Sequence, residues 1–403
     1  MYSIKNKSGS AAIGKRVILY LIILSALLPV LPLSLKAEDT NTYRHVLLLG
    51  IDKPVSNSEV NTPSPMIMYY YIRDDFQNDN YFQFTVTTTT VYCILGKKTE
   101  SYFTGIKPVV NHTIYGAYHS YADGVNNDSR CFNGNNAGAE FFYEYFPVRY
   151  FKAGISYYPG YYWYRKKKKS DALFFKQEET EIDLPENHRE HTGGLDLTID
   201  NLEKKDLDRI RHGFIIQGSY RYTYRSGYGT FYDTAAAENS SIDKTQKRYL
   251  TAGFYYNFAS DINLMLDISG AYHSKIDRNN ADQIGSYVAD KGVMPGYYWG
   301  EFYHNKFSIV SAQIGVPLFF WSARLQPGFN ILYMPEDNDV TGTDNYPRRI
   351  YRSLSAGLSI KAGGILPVFT DYAYGIDARR LNTGSGEVKK GNHEFMFYIL
   401  TAF

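Results

Sequence analysis

The chain has 403 residues, a formal net charge of +2 and a mean hydropathy slightly on the polar side. A balance so close to neutral gives no electrostatic reason for nucleic acid or another polyanion as the main partner. Beyond residues 1–37 no stretch is long and apolar enough to be a transmembrane helix, which excludes a helical membrane protein, yet 39 Tyr, 24 Phe and 3 Trp bring aromatics to 16% of the chain.

The chain opens with a positive segment carrying Lys5, Lys7, Lys15 and Arg16, followed by an uncharged run from Val17 to Leu33 and the short polar stretch Ser34 to Ala37. This is the layout of a cleaved secretory signal, with residues 1–37 removed and residues 38–403 forming the mature protein. A permanent helical anchor is the weaker reading, because the run is short for a bilayer and contains Pro29 and Pro32. No Cys lies near the cleavage position to suggest a lipoprotein.

Apolar and polar residues then alternate with period two in segment after segment, separated by Gly/Asn/Asp-rich turns. In chain order the candidate strands are 66–73, 81–93, 109–120, 137–146, 148–158, 192–199, 213–225, 249–258, 263–273, 306–318, 320–334, 354–361, 367–377 and 393–403. The clearest sets Phe214, Ile216, Gly218, Tyr220, Tyr222 and Tyr224 against Ile215, Gln217, Ser219, Arg221, Thr223 and Arg225, one face for lipid and one for water. Segment 81–93 is read as one strand with Phe82, Phe84, Val86, Thr88, Thr90 and Tyr92 on its apolar side. At about 22 residues per strand plus turn, the mature chain holds roughly 14 to 16 strands. The expectation is an all-β, transmembrane antiparallel β-barrel of 16 strands, with 14 as the alternative, in which tyrosines gather at the two water interfaces. Polar stretches 123–136, 165–191, 230–247, 277–291 and 335–349 interrupt the pattern and are expected as the long extracellular loops, with short turns at the periplasmic rim.

Chemistry is sparse. Cys93 and Cys131 would meet an oxidising compartment after export, and pairing or two separate thiols are both open. His188 and His191 have the spacing of a helical metal pair, but their polar context reads better as solvated charge, so no metal and no cofactor is expected. The cluster from Arg165 to Lys169, after the aromatic run from Tyr157 to Tyr164, suits lipopolysaccharide phosphates or simple snorkelling at the membrane interface. There is no Gly-x-Ser-x-Gly elbow, phosphate loop or Cys-x-x-Cys, and no enzymatic activity is expected.

The last segment places Phe395, Phe397, Ile399 and Phe403 on one face and stops on Phe403, which resembles the C-terminal sorting signal read by barrel-assembly machinery in outer-membrane proteins. Three further blocks, in order, resemble the BamA/TamA (bacterial surface antigen) superfamily. The first is Gly194 to Asn201 followed by His212-Gly213-Phe214, with Leu202 where that family usually has Arg. The second runs from Met294-Pro295-Gly296-Tyr297 through Gly300, Phe302 and Asn305 to Gly315-Val316-Pro317-Leu318, similar to the family's long-loop motif. The third is the pair of closing strands around Ala356 to Ile360 and Leu366 to Gly375. The resemblance implies a 16-strand barrel with the loop tip, Gly296 and Tyr297, folded into the lumen. It also implies the branch without periplasmic POTRA domains, in a bacterial outer membrane. The expected role is outer-membrane assembly or transport of protein or lipid, with membrane lipids and barrel-assembly machinery as partners. A porin-like passive channel, and a surface adhesin or membrane-barrel hydrolase, are the alternatives. Pro295 departs from the family at the tip position, where an Arg normally pairs inside the barrel.

Overall fold

The computed structural model describes residues 41–55, 64–75, 78–112, 121–122, 125–126, 131–167, 180–181, 183–205, 210–228, 243–258, 261–274, 281–287, 291–298, 300–318, 323–335, 349–362, 366–381 and 385–402. The proposed signal at residues 1–37 lies outside them. Sixteen strands form the wall: β1 Asn41–Val55, β2 Ser64–Asp75, β3 Asn80–Thr87, β4 Thr90–Lys98, β5 Tyr102–His112, β6 Phe132–Val148, β7 Phe151–Lys166 and β8 His188–Asp200, then β9 Ile210–Ser226, β10 Lys244–Asn257, β11 Asn263–Ser274, β12 Lys306–Leu318, β13 Ala323–Tyr333, β14 Ile350–Ala362, β15 Leu366–Leu381 and β16 Val388–Ala402. Each pairs antiparallel with its sequence neighbours, and β16 returns to β1 in an unbroken register from Val46 opposite Ala402 to Val55 opposite His393. The sheet therefore closes on itself, which leaves no edge with unpaired backbone groups.

Side-chain alternation decides which face meets what. Outward positions carry exposed Leu49, Ile51, Leu195, Leu197, Leu250, Phe254, Ile314 and Leu354, a surface suited to hydrocarbon rather than water. Inward positions carry buried Asp52, Thr85, Asn263, His273, Asn330, Ser353, Asp371 and Glu394. On the β2–β9 wall the inward polar groups pair across strands: Lys98 with Asp74 at 2.8 Å, Lys107 with Glu140 at 3.4 Å, Lys152 with Glu144 at 3.1 Å and Arg221 with Asp196 at 2.8 Å.

The longest connections all lie at one rim. At the opposite rim lie the short links 76–79, 99–101, 149–150, 258–262, 319–322 and 363–365, together with 201–209. The first rim has the long segments 113–131, 167–187, 227–243, 275–305 and 334–349, together with the shorter links 56–63, 88–89 and 382–387. This is the asymmetry read from composition.

Two strands depart from the sequence reading. Segment 81–93 is a hairpin, not one strand: β3 ends at Thr87, the hydroxyl of Thr87 accepts the amide of Thr90 at 2.9 Å, and Val86 faces Val91 across the turn. Alternation is preserved on each side but its phase flips, so Tyr92 points inward, where its hydroxyl accepts a hydrogen bond from Gln83 at 3.1 Å. The other is β1, whose run Val46 to Leu49 masks any alternation. Several strand limits also move: β5 covers 102–112 where 109–120 was read, β6 starts at Phe132 inside the polar stretch 123–136, β7 extends to Lys166, β8 begins at His188 inside the stretch read as loop 165–191, β10 begins at Lys244 inside the stretch read as loop 230–247, β14 begins at Ile350, β15 runs to Leu381 and β16 begins at Val388.

Candidate functional site

The segment between β11 and β12 folds back into the barrel along the wall formed by β10–β16 and β1. Its stem is a small hairpin, Asp282–Ile284 against Phe302–His304. Gly285 continues the turn with φ +131°, where a Cβ would fall on the carbonyl of Tyr298. From this stem two arms reach the barrel closure. Ser286 donates its hydroxyl proton to Asp52 Oδ2 on β1 at 2.8 Å. On β16, Glu394 accepts the amide of Tyr287 at 3.2 Å through Oε1 and the amide of Gly296 at 2.6 Å through Oε2. Asn392 Nδ2, two residues along the same strand face, donates to the carbonyl of Gly296 at 2.9 Å.

Gly296 is required at this point on two counts. Its φ is +88°, and a Cβ there would run into the backbone of Gly375 on β15, which in turn has no room for a Cβ against the carbonyl of Gly296. Tyr297 is buried, packs on Phe302 and Tyr351, and donates its hydroxyl proton to the carbonyl of Arg352 at 2.9 Å. Burial, reinforced by Glu301 and Asp377, pushes its phenol well above the ordinary tyrosine range, so it stays a neutral donor. Around it Ile284, Met294, Phe302, Phe307, Ile309, Leu332, Met334, Tyr351 and Ala378 form an apolar core shared by loop and wall. The loop is thus held by packing as well as by polar contacts.

Charged contacts fix the base of the loop. Arg380 of β15 makes a two-pronged bridge to Glu301, Nη1 to Oε1 at 2.8 Å and Nη2 to Oε2 at 2.9 Å, while its guanidinium lies 3.9 Å from the Tyr298 ring centre. Glu301 also accepts the amide of Tyr298 at 2.7 Å. On the other side Asp282 accepts from Lys247 at 3.1 Å, Tyr249 at 2.8 Å and His273 at 2.7 Å. Burial acts to raise the Asp282 carboxyl, but Lys247 and the bonds from His273 and Tyr249 outweigh it and hold it well below the usual carboxylate range.

These contacts place Gly296 and Tyr297 inside the barrel, Gly296 against β15 and β16 and Tyr297 against β14. Pro295 itself supplies no charge, and the charged contact at the base of the loop joins an acid on the loop, Glu301, to an arginine on the wall, Arg380. Sequence reasoning missed Asp52, Asp282, Glu301, Arg380 and Glu394. The signal for Glu394 was available, since a lone acid interrupts the apolar terminal strand on the face opposite Phe395, Phe397 and Ile399. Those three occupy the outward face, with Phe395 exposed, and Phe403 lies outside the described residues.

His188 and His191 do not come together. Both lie in strand β8, where a spacing of three puts them on opposite faces: His188 stacks inside on Tyr162, and His191 bonds the exposed Tyr157 hydroxyl at 2.7 Å. Of the cluster from Arg165 to Lys169, Arg165 and Lys166 end β7, Lys167 is buried with its amide on Thr180 Oγ1, and the rest lies outside the described residues. Cys93 and Cys131 are two thiols rather than a disulfide.

Comparison with solved structures bears on the same architecture. BamA from Haemophilus ducreyi lacking POTRA domains 1–3 superimposes with a TM-score of 0.55 at 12% identity, over 91% of this chain and 71% of that one. The chain has the fold of the BamA barrel. CdiB from Acinetobacter baumannii matches this BamA-like barrel with a TM-score of 0.54 at 12% identity over 90% of the chain, and CdiB from Escherichia coli with 0.51 at 10% over 89%. The chain spans 60% and 63% of the length of those two CdiB chains. No family model and no curated protein matches its sequence.

Proposed function

We propose that this chain is a bacterial outer-membrane barrel that serves assembly of the outer membrane, or transport of protein or lipid into or across it, without chemistry of its own. The observation that carries the reading is the loop 281–305 seated inside the lumen and tied to β1, β15 and β16 through Asp52, Arg380 and Glu394. A loop docked on the barrel's own closure can open or shut the lumen by moving, which suits a gated passage for a protein or a lipid. In this reading the substrate is a protein or a lipid, membrane lipids surround the wall, and barrel-assembly machinery inserts the chain by way of Phe395, Phe397, Ile399 and Phe403. Deleting Phe403 is expected to lower the yield of heat-modifiable barrel in the outer membrane, and an undiminished yield removes the sorting-signal assignment.

Depletion of the chain in its own cells tests the role: loss of particular outer-membrane proteins or a changed lipid distribution between leaflets supports it. An unchanged envelope with altered small-solute uptake supports a porin-like channel instead. One observation favours that second reading, the inward ladder of paired charges on β2–β9, which suits a hydrated wall.

A further inference from the structure

Inside the barrel Lys98, Lys107, Lys152, Lys247 and Arg221 each stand beside an acid. The outward face differs. At the rim of the long connections Arg165 is the last residue but one of β7, Arg189 the second of β8, and Lys244 and Lys306 the first of β10 and β12, with Arg248 four residues further along β10. By alternation these five share the outward side with Tyr161, Leu195, Leu250, Phe254 and Ile314. Among the described residues Arg189, Lys244, Arg248 and Lys306 have no acidic partner, and the outward positions of β7–β12 hold no Asp or Glu at all. Tyrosines alternate with the cations. Tyr220, Arg248, Tyr272 and Lys306 stand opposite one another on β9, β10, β11 and β12. The Arg248 guanidinium lies 5.7 Å from the Tyr220 ring centre and 5.5 Å from that of Tyr272, and Lys306 Nζ lies 5.5 Å from the Tyr272 ring centre. The rings steady the cationic stems on the wall while their charges stay accessible.

We propose that the outward rim of β7–β12 binds the phosphorylated headgroup of lipopolysaccharide in the outer leaflet, with the acyl chains laid over the aliphatic rows beneath. The order of side chains along the strands matches such an amphiphile. On β7 it runs from the rim as Arg165, Trp163, Tyr161 and, deeper, Ile155; on β10 Lys244 and Arg248 precede Leu250 and Phe254. A soluble anion would engage the rim alone and leave the rows below it unused. Arg248 and Lys306 stand two strands apart, about 10 Å, a span for two phosphates on one headgroup rather than the single phosphate of a glycerophospholipid. Snorkelling at the interface accounts for a cation at this height. It does not account for the exclusion of acids, since the inward side of the same strands carries Glu190, Asp196 and Asp267. The inference rests on the reading that the chain lies in an outer membrane with its long connections outside.

The test uses the full chain folded in detergent micelles and titrated with bisphosphorylated lipid A, the membrane-anchored part of lipopolysaccharide, with complexes counted by native mass spectrometry. Monophosphorylated lipid A and phosphatidylglycerol are titrated alongside. The bisphosphorylated lipid is expected to bind at the lowest concentration, and Arg248→Gln with Lys306→Gln to weaken it by about tenfold or more as two charge-assisted contacts are lost. Arg73→Gln with Lys97→Gln removes the same net charge from exposed positions near the opposite rim and is expected to leave binding unchanged. Equal binding of the three lipids, or tighter binding of phosphatidylglycerol, overturns the proposal. So does an equal loss in the two double variants, which would assign the attraction to net charge rather than to this rim. Density-gradient fractionation of cells making the parent chain keeps the site and the location apart. Recovery with the outer membrane but no preference for lipid A overturns the site and leaves the location standing; recovery with another membrane removes the leaflet, and the proposal with it. Heat-modifiable mobility on gels confirms that each variant is folded, and should the Arg248→Gln, Lys306→Gln chain fail to fold, Lys306→Gln decides alone.

Discussion

At the scale of single residues the site depends on positions with no spare room. A methyl group at Gly296 meets the Gly375 backbone and forces a residue with φ +88° into a region that L side chains avoid. Gly296→Ala is therefore expected to lift the loop tip while the wall stays folded, visible as faster amide hydrogen exchange in 281–305 and unchanged exchange in β2–β9. Slow exchange in the loop of that variant would show that the tip tolerates a side chain after all. The Glu301–Arg380 bridge, buried at both ends, carries a different expectation. Removing one partner strands a buried charge and costs about 3–5 kcal/mol, so Arg380→Met is expected to destabilise strongly, and adding Glu301→Met to recover much of the loss. Additive effects in thermal unfolding would mean the two groups are independently solvated. Which of these residues could be read beforehand depended on their kind. Gly296 and Tyr297 belong to a local block, whereas Glu301 and Arg380 are ordinary charged residues until the chain returns and sets one against the other.

At the scale of elements, alternation made most strands legible because lipid and lumen impose opposite demands on successive side chains. It failed where that contrast is absent. In β1 the apolar run hides the period, and between β3 and β4 a turn made of threonines carries no Gly, Asn or Pro to mark it. The histidines of β8 show the complementary failure, since spacing alone suited a helix and only the strand assignment separates their faces. The outward rows give a direct test of the membrane assignment. Leu195, near the middle of β8, points outward and is exposed, so Leu195→Arg is expected to cost about 2–4 kcal/mol in a bilayer. In detergent micelles, where the polar head finds water more readily, the cost is expected to shrink. Equal stability of parent and variant in phospholipid vesicles would mean that this row does not face hydrocarbon.

At the scale of the whole molecule, strand number and loop placement pull in opposite directions. A closed sheet of 16 strands encloses a lumen wide enough for an aqueous channel, and the β2–β9 wall is lined for water. Under the loop the β10–β16 wall is not: Ile309, Leu332, Phe307 and Tyr351 point inward there, and the loop is what keeps them dry. The same apolar inward residues that look like errors in a pore are the seat of the plug. Replacing 281–304 by a short turn is therefore expected to do two things together. Single-channel conductance in planar bilayers should change from a closed or flickering state to a steady, larger one. Thermal stability should fall as well, because the apolar seat is left facing water at about 25 cal/mol per Å² of surface exposed. A pore that is already steady and large in the parent, and unaltered by the replacement, would show that the loop does not obstruct the lumen and would move the functional assignment to the passive channel. Higher conductance without loss of stability would locate the obstruction in the loop while denying that its apolar seat holds the barrel together.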